Sequence, residues 1–430
     1  MFVAILLILL FALILIGVPI SFAIAGSSLV VLLVDPGLQA ITLVQRTFSG
    51  LNSFLTLAIP LFLLTAEIMN ECGITDKLIK LAQSIVGRIK GGLAHVNIVV
   101  SMVFAGISGS STADTAGVGS VLIPAMKKKG YSPEFAVSVT AASSTMGVII
   151  PPSIIAVIYA ATAGISVGAL FIAGIMPGVL IGLSQMVISY LFAKKYNYPS
   201  EPRMKWSDRF RAIVGAIPPL LSPVLIIGGI VGGFFTPTEA AVISVTYSLV
   251  LALFYRTITP QRLWKVLIRA GLTSSVTLLC IGVATVFGYL ISIYRVPQML
   301  GDWMVGFSDN PSVFLLLVFV LFLVAGTFMD ATPSIIMLTP IVAPIGVEMG
   351  VNPIHLAVIV VTTLGLGLVT PPYGLCLLLG CQIGETTLQK VLPVVSIFIV
   401  SAVLIIMLIL FFPEVALWVP RVFTPEFMPS

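Results

Sequence analysis

Charge is scarce in this chain. Lys, Arg, Asp and Glu together make 9% of its 430 residues, against about 25% in an ordinary soluble domain, which excludes a soluble fold. Histidine is nearly absent: His95 and His355 are the only two, and neither sits at metal-ligand spacing from another donor. Both read as structural or interfacial residues, so transition-metal sites and histidine-based catalysis are not expected. The four cysteines, Cys72, Cys280, Cys376 and Cys381, lie in or beside apolar runs without CxxC spacing, which argues against a disulfide framework or a zinc site. Strand-like alternation is missing, so a barrel is not expected. No basic leader precedes the apolar run Phe2 to Ala23, so "SFAIAG" reads as a helix end rather than a cleavage site, and the run as a transmembrane helix.

What is present in abundance is apolar surface: 59% of residues are hydrophobic and the mean hydropathy is +1.18. Runs of membrane-spanning length, about 20 residues each, recur from residue 2 to residue 413. The fold class is all-α polytopic membrane protein. The net charge of +5 then reports loop orientation rather than a nucleic-acid partner. Basic clusters occur at Lys77, Lys80, Arg88 and Lys90, at Lys127 to Lys129, at Lys194 to Arg211 and at Arg256 to Arg269. With these and Lys390 in the cytoplasm, 18 of the 21 basic residues are inside and only Arg46, Arg295 and Arg421 are outside.

That topology places Lys90 and the Lys127 cluster on one side although an apolar segment separates them. Its arms, Gly91 to Ile107 and Thr112 to Met126, are about 22 to 26 Å long as helices, too short for two spans. They read as a re-entrant hairpin with the non-helical tip "SGSSTADT". Backbone exposed at such a tip cannot be satisfied by lipid, so it must face protein, water or a ligand.

Shifting the sequence by 220 positions superimposes "FAGISGSSTADTAG" and its continuation on "VAGTFMDATPSIIM" and its continuation. Gly106 meets Gly326, Thr112 meets Thr332, Pro124 meets Pro344, Gly147 meets Gly367, and Pro151 and Pro152 meet Pro371 and Pro372. The first copy is flanked by lysines and the second by Asp302, Asp309 and Glu348, so the charge rule makes the repeat inverted. Each copy also contains a Gly-to-Pro-Pro break, "TMGVIIPP" and "LGLGLVTPP". Proline removes an amide donor, leaving carbonyls able to coordinate a cation, while half-helix N-termini suit a carboxylate. Paired interrupted helices in two inverted halves point to the midplane site of a secondary transporter.

Among single residues, Asp330 reads as a site residue. Asp114, which aligns with Ser334, reads equally as a site residue or as a cap of the returning helix. Glu67 and Glu239 read as packing or inter-domain pairs. "GGIVGGFF", with Gly228, Gly229, Gly232 and Gly233, reads as a close helix crossing. "TPQRLWKVLIRA" reads as an amphipathic interfacial segment, and Lys194 to Arg211 as a cytoplasmic connector.

The paired motifs "SGSSTADT" with "GVIIPPS" and "GTFMDATPS" with "LVTPPYG", together with "IPLFLLTAEIMNECG" and "TPTEAAVIS", resemble the large membrane subunit, DctM type, of tripartite ATP-independent periplasmic (TRAP) transporters over essentially the whole chain. The resemblance implies an ion-transporter-type fold with two re-entrant hairpins on a mobile elevator domain held by a scaffold. It divides the chain into scaffold helices (1–70), the first repeat (71–165), scaffold and connector (166–294), the second repeat (295–385) and a C-terminal helix and tail (386–430). It implies Na⁺ as coupling ion, no other cofactor, a separate small DctQ-type membrane subunit, a periplasmic binding protein and a bacterial inner-membrane location. One sodium site would use Ser108, Gly109, Ser110, Ser111, Gly147 and Ile150; the other Gly326, Asp330, Thr332, Gly367, Val369 and Thr370. Substrate would touch Ser110, Thr112, Asp330, Ser334 and Tyr373. The expected solute is a carboxylate such as a C4-dicarboxylate, a sialic acid or another sugar acid; a stand-alone Na⁺- or H⁺-coupled carboxylate transporter is the alternative. Enzyme activity is not expected: neither histidine lies in the serine-rich tips, and nearly all lysines lie in loops rather than along a proton path.

Overall fold

The computed structural model describes residues 2–299, 310–372 and 374–423; Tyr373, Asp302 and Asp309 lie outside them. The described residues contain helices and no strand. The chain opens with α1 (Phe2–Leu15), α2 (Ile20–Val34), α3 (Ile41–Leu51), α4 (Ala58–Glu71) and α5 (Ile74–Val86). Next come α6 (Gly92–Ser108), α7 (Ser111–Lys128), α8 (Pro133–Ser144), a 3₁₀ turn (Thr145–Val148) and α9 (Ile154–Ala163). Four long helices follow: α10 (Val167–Lys195), α11 (Trp206–Val231), α12 (Pro237–Phe254) and α13 (Pro260–Ile293). The last group is α14 (Pro311–Phe328), α15 (Ala331–Glu348), α16 (Pro353–Gly367), α17 (Leu375–Gly384), α18 (Leu388–Phe411) and α19 (Glu414–Phe423). Seven of these helices are long and apolar enough to cross a membrane, and the α4–α5 pair, bent by 74°, makes an eighth if it is one span.

Helix starts are written in a recurrent code. Ser132, Thr236, Thr259, Asn310 and Asn352 each stand immediately before a proline and accept a hydrogen bond from a first-turn amide with their side chains. Proline at the first helical position sacrifices only an amide that would lack a partner anyway. In a bilayer, where an unpaired amide has no water to bond, this matters more than in solution.

The basic loops share one face. Lys129 pairs with Glu201 of the connector at 3.3 Å and Lys127 with Glu385 at 3.2 Å. The Gly92 amide donates to the Pro199 carbonyl and the Glu201 amide to the Gly87 carbonyl. Both ends of the α6–α7 hairpin therefore sit beside the connector, as the re-entrant reading requires. The second hairpin has its base elsewhere: a Cβ on Gly346, late in α15, would touch the Phe314 ring early in α14 and the Leu356 side chain early in α16. His355, at the start of α16, bonds the Ile409 carbonyl near the end of α18, whose first turn lies close to Glu385. The two hairpin bases thus lie at opposite ends of α18.

Packing separates the helices into two neighbourhoods. α13 packs against α2, α3 and α4, and α12 against α4 and α11. The hairpin α6–α7 packs on α8 and α17, while α14 and α15 pack on α16. The neighbourhoods meet where α15 lies against both α9 and α13. Within the first hairpin, buried polar side chains bond across helices: Asn97 donates to Thr140 at 2.6 Å, Ser101 and Ser143 are 3.0 Å apart, and Thr115 donates to Ser144 at 2.7 Å. Such pairs hold helices where the hydrophobic effect gives no preference between lipid and protein.

Several expectations need correction. The run Phe2 to Ala23 is not one helix: Gly17 takes φ +91° and Pro19 withholds a donor, so α1 ends and α2 begins within it. The non-helical first tip is narrower than "SGSSTADT", being only Gly109 and Ser110, because Ser110 caps α7 through the Ala113 amide. "TPQRLWKVLIRA" is the first third of the continuous helix α13. "GGIVGGFF" ends α11 instead of forming a crossing: Gly228 faces open space, whereas a Cβ on Gly229 would come within 2.2 Å of the Phe235 ring. Glu239 is not an inter-helix pair but half of a capping box with Thr236. Glu67 does pair as expected, with Glu71 sharing Arg269 at 3.8 and 2.6 Å.

The glycine result is directly testable. Gly228→Ala is expected to leave the thermal unfolding midpoint of purified protein unchanged or slightly higher, since helix propensity gains about 1 kcal/mol with no clash. Gly229→Ala is expected to lower it. Equal destabilisation by both would restore the helix-crossing reading. Thr236→Ala, which removes the α12 cap, is expected to cost about 1 kcal/mol in the same assay.

Candidate functional site

The two breaks and the two tips meet. At the first tip α6 ends at Ser108, Gly109 adopts φ +61° and Ser110 is extended, after which α7 starts. Gly109 can hold this conformation only without a side chain, for a Cβ would lie 2.4 Å from the Pro152 carbonyl oxygen. Its own carbonyl accepts the Ile154 amide at 3.4 Å. On the facing break, a Cβ on Gly147 would lie 2.9 Å from the Ser110 carbonyl carbon and the Ser111 nitrogen. Tip and break are therefore in backbone-to-backbone contact, which is why both positions are glycine.

The second copy keeps the register, but its contact is made from the last turn of α14, before the tip. Helix starts at 111 and 133 recur at 331 and 353, the register of the sequence repeat, and Pro151–Pro152 and Pro371–Pro372 are both cis. A Cβ on Gly367 would lie 2.8 Å from the Gly326 Cα and carbonyl carbon. Asp330 caps α15 through the Ala331 amide at 2.8 Å and is exposed. The two breaks also touch each other, since a Cβ on Gly365 would lie 3.3 Å from the Thr145 carbonyl oxygen.

The residues expected to form the first ion set, Ser108, Gly109, Ser110, Ser111, Gly147 and Ile150, are accordingly brought together around one contact. Of the second set, Gly326 and Gly367 touch, Asp330 and Thr332 begin the facing helix, and Val369 and Thr370 follow the break. Ser110 and Thr112 share a hydroxyl contact of 3.1 Å at the tip. Ser334 is fully buried and donates to the Asp330 carbonyl at 2.9 Å, so its hydroxyl serves its own helix. Not every carbonyl near the prolines is free: Val148 accepts from the Ser153 hydroxyl at 2.6 Å, and Gly367 from the Thr370 amide at 3.1 Å. The two breaks differ in exposure, Pro151 and Pro152 being buried and Pro372 exposed.

Asp114 gains weight from the structure. It is wholly buried, and neither carboxylate oxygen has a hydrogen-bond partner; the Ser111 hydroxyl is buried and unpartnered too. Capping is excluded as its role because Ser110 does that. The Ser101 hydroxyl, 3.0 Å from Ser143, stands beside it as a hydrogen-bonding neighbour. An isolated buried carboxylate costs far more than the fold can leave uncompensated, so the position calls for a proton or a cation. Its signal in the sequence was a carboxylate one turn after a glycine-serine tip, which looked the same as a capping residue. Among the described residues no three His, Cys, Asp or Glu converge; the donors here are hydroxyls, carbonyls and single carboxylates, the set that suits hard cations.

Among the described residues, a multi-pass helical fold with paired hairpin tips and helix breaks is the architecture of a membrane transporter. The family model described as "Tripartite ATP-independent periplasmic transporter, DctM component" matches residues 7–415, and the chain belongs to that family of inner-membrane permeases. It is 41% identical over 421 residues to uncharacterized protein YgiK of Salmonella typhimurium, covering 97% of each chain. It is 38% identical to the sialic acid TRAP transporter large permease protein SiaM of Vibrio cholerae, covering 95% of this chain and 96% of that one. It is likewise 38% identical to the C4-dicarboxylate TRAP transporter large permease protein DctM of Pseudomonas aeruginosa, covering 92% and 93%. The fold is similar to the crystal structure of the Alcanivorax borkumensis YdaH transporter, with a TM-score of 0.63 at 14% identity over 88% of this chain and 90% of that one.

Because tip and break touch through glycine, Gly147→Val should force them apart, with transport lost while the protein still elutes as a folded species; wild-type transport in this variant would mean the contact is dispensable. Asp114→Asn should raise the thermal midpoint in sodium-free buffer, because the neutral amide removes the charge that burial penalises. A lower midpoint would show that the carboxylate has a partner in the apo protein.

Proposed function

We propose that this protein is the permease subunit of a sodium-coupled importer of a carboxylated solute, working as an elevator with a small DctQ-type subunit and a periplasmic binding protein. The observation that carries this reading is that in both halves a glycine contact brings the backbone of a hairpin, at its tip in the first and one turn before it in the second, against the backbone of a broken helix. Ions at the two contacts, held by Ser108 to Ser111 with Gly147 and Ile150, and by Gly326, Asp330 and Thr332 with Gly367, Val369 and Thr370, would order the tips. The solute would lie between them, against Ser110, Thr112 and Asp330. Asp114, one turn behind Ser110, would add its carboxylate to the first ion set or carry a proton in its place.

The hairpin bases at opposite ends of α18 support an inverted repeat, and that symmetry lets the helices 71–165 and 295–385 move as one body against the rest. Coupling follows from linkage: ions that bind only the ordered tips favour the arrangement that also binds solute, so an unloaded unit moves reluctantly. Relatives named for sialic acid, C4-dicarboxylate and 2,3-diketo-L-gulonate support a carboxylate as cargo. This chain covers only 64% of the isethionate permease DctMQ and 62% of the sialic acid permease SiaT, which leaves length in those proteins for a fused counterpart of the small subunit.

Uptake of labelled succinate, sialic acid and 2,3-diketo-L-gulonate into proteoliposomes tests this. Accumulation of one acid is expected only with an inward sodium gradient, the small subunit and a binding protein together. Uptake by this chain alone would make it an independent transporter, and indifference to sodium would sink the coupling. In the same assay Asp330→Ala is expected to lower uptake at least tenfold and to raise the sodium concentration required.

A further inference from the structure

Away from the tips, a cavity lies between the two helix neighbourhoods. It has a volume of about 520 Å³ and is walled by α3 and α13 on one side and by α9 and α15 on the other. A second of about 620 Å³ continues from it, Thr162 and Pro340 lining both. Among the described residues, Arg46 is the only charged one lining either. Its guanidinium stands 4.1 Å from the centre of the Tyr289 ring, and no carboxylate of the described residues lies within ion-pairing distance. The hydroxyls of Ser53, Ser292 and Tyr289 line the same cavity.

The walls give this cleft a direction. α9 starts just after the first break and α15 just after the second tip, and the lining residues Ile158 and Ile336 lie only about 6 to 8 Å along those helices from their starts. The lysine- and arginine-rich loops crowd the other face, so Arg46 is a lone cation at the mouth of an otherwise neutral cleft. Low-dielectric walls focus the field of such a charge. A guanidinium held over an aromatic ring keeps its planar N–H fork available, and that fork matches a carboxylate with two parallel hydrogen bonds.

We infer that Arg46 is the anion receptor of a vestibule through which a carboxylated solute reaches the hairpin tips. This rests on the carboxylate-importer reading above and adds to it a scaffold residue, on α3, that touches the solute before the tips do.

The test titrates the purified permease with its small subunit, using free succinate, sialic acid and 2,3-diketo-L-gulonate, alongside the uptake assay. For the acid that is taken up, Arg46→Gln is expected to weaken binding about ten- to a hundredfold, the scale of hydrogen bonds to a charged group. Arg46→Lys should weaken it less, and Arg421→Gln, which removes another outward cation by the charge rule, should not change it. Wild-type affinity should fall with ionic strength; if Arg46→Gln does not fold, salt-independent binding by the wild type overturns the inference. Equal affinity of wild type and Arg46→Gln for the transported acid overturns the inference and leaves the importer standing. Failure of the wild type to take up any acid overturns the importer reading, and this inference with it.

Discussion

Backbone that leaves the helix inside a bilayer must find a partner, and here it finds other broken backbone. At the first hairpin the tip is laid on the interruption of the following helix, Gly109 and Ser110 on Pro152 and Gly147; at the second, Gly326, in the last turn before the tip, lies on Gly367. Lipid offers no hydrogen bonds, so a solitary break would leave several polar groups unsatisfied at a cost of several kcal/mol each. Stacking two breaks reduces that cost and concentrates oxygen atoms in one place. The same constraint that stabilises the fold therefore brings backbone of hairpin and break together in both halves.

Much else follows from keeping those contacts rigid. The buried ladder Asn97–Thr140, Ser101–Ser143 and Thr115–Ser144 fixes the register of α6, α7 and α8 behind the first tip. The Gln185 amide donates to the Ala142 carbonyl at 3.0 Å and ties α10 to the end of α8, close to the break. Against this firm backing, Asp114 is wholly buried beside the Ser101 hydroxyl. On the other side of the cleft, Asp35 accepts the Tyr294 hydroxyl at 2.6 Å, joining the end of α2 to the end of α13. That bond holds the exposed Asp35 carboxyl below the ordinary carboxylate range. The two walls meet directly where α15 packs on α13, with the cavity beside that contact.

Charge does complementary work at the two ends. Lysines and arginines gathered around the connector set the orientation of the chain, and some of them also bond loop to loop, Lys127 to Glu385 and Lys129 to Glu201. The opposite end is nearly bare of cations, which is what makes a single arginine there effective.

Composition and charge were enough to establish a polytopic helical protein and its loop sides, because hydropathy and the exclusion of lysine from the bilayer act on each residue separately. The 220-residue register was legible too, since Gly and Pro at corresponding positions record the same backbone requirement twice. Helix ends were less legible: Gly17 and Pro19 were enough to split the first run, yet apolar composition continued through them and hid it. GxxxG looked like a crossing because spacing does not reveal what lies opposite, and Glu239 looked like an inter-helix acid although its partner is three residues away. Asp114 was indistinguishable from a cap for a deeper reason. Whether a carboxylate is orphaned depends on where hydroxyls from distant helices point, and only the folded chain decides that. The same holds for Arg46, whose isolation at a cleft is made by four helices between residues 41 and 348. Sequence determined the parts that each residue dictates through its own solvation and backbone freedom; tertiary structure decided which polar groups were left facing one another, because that is a property of pairs.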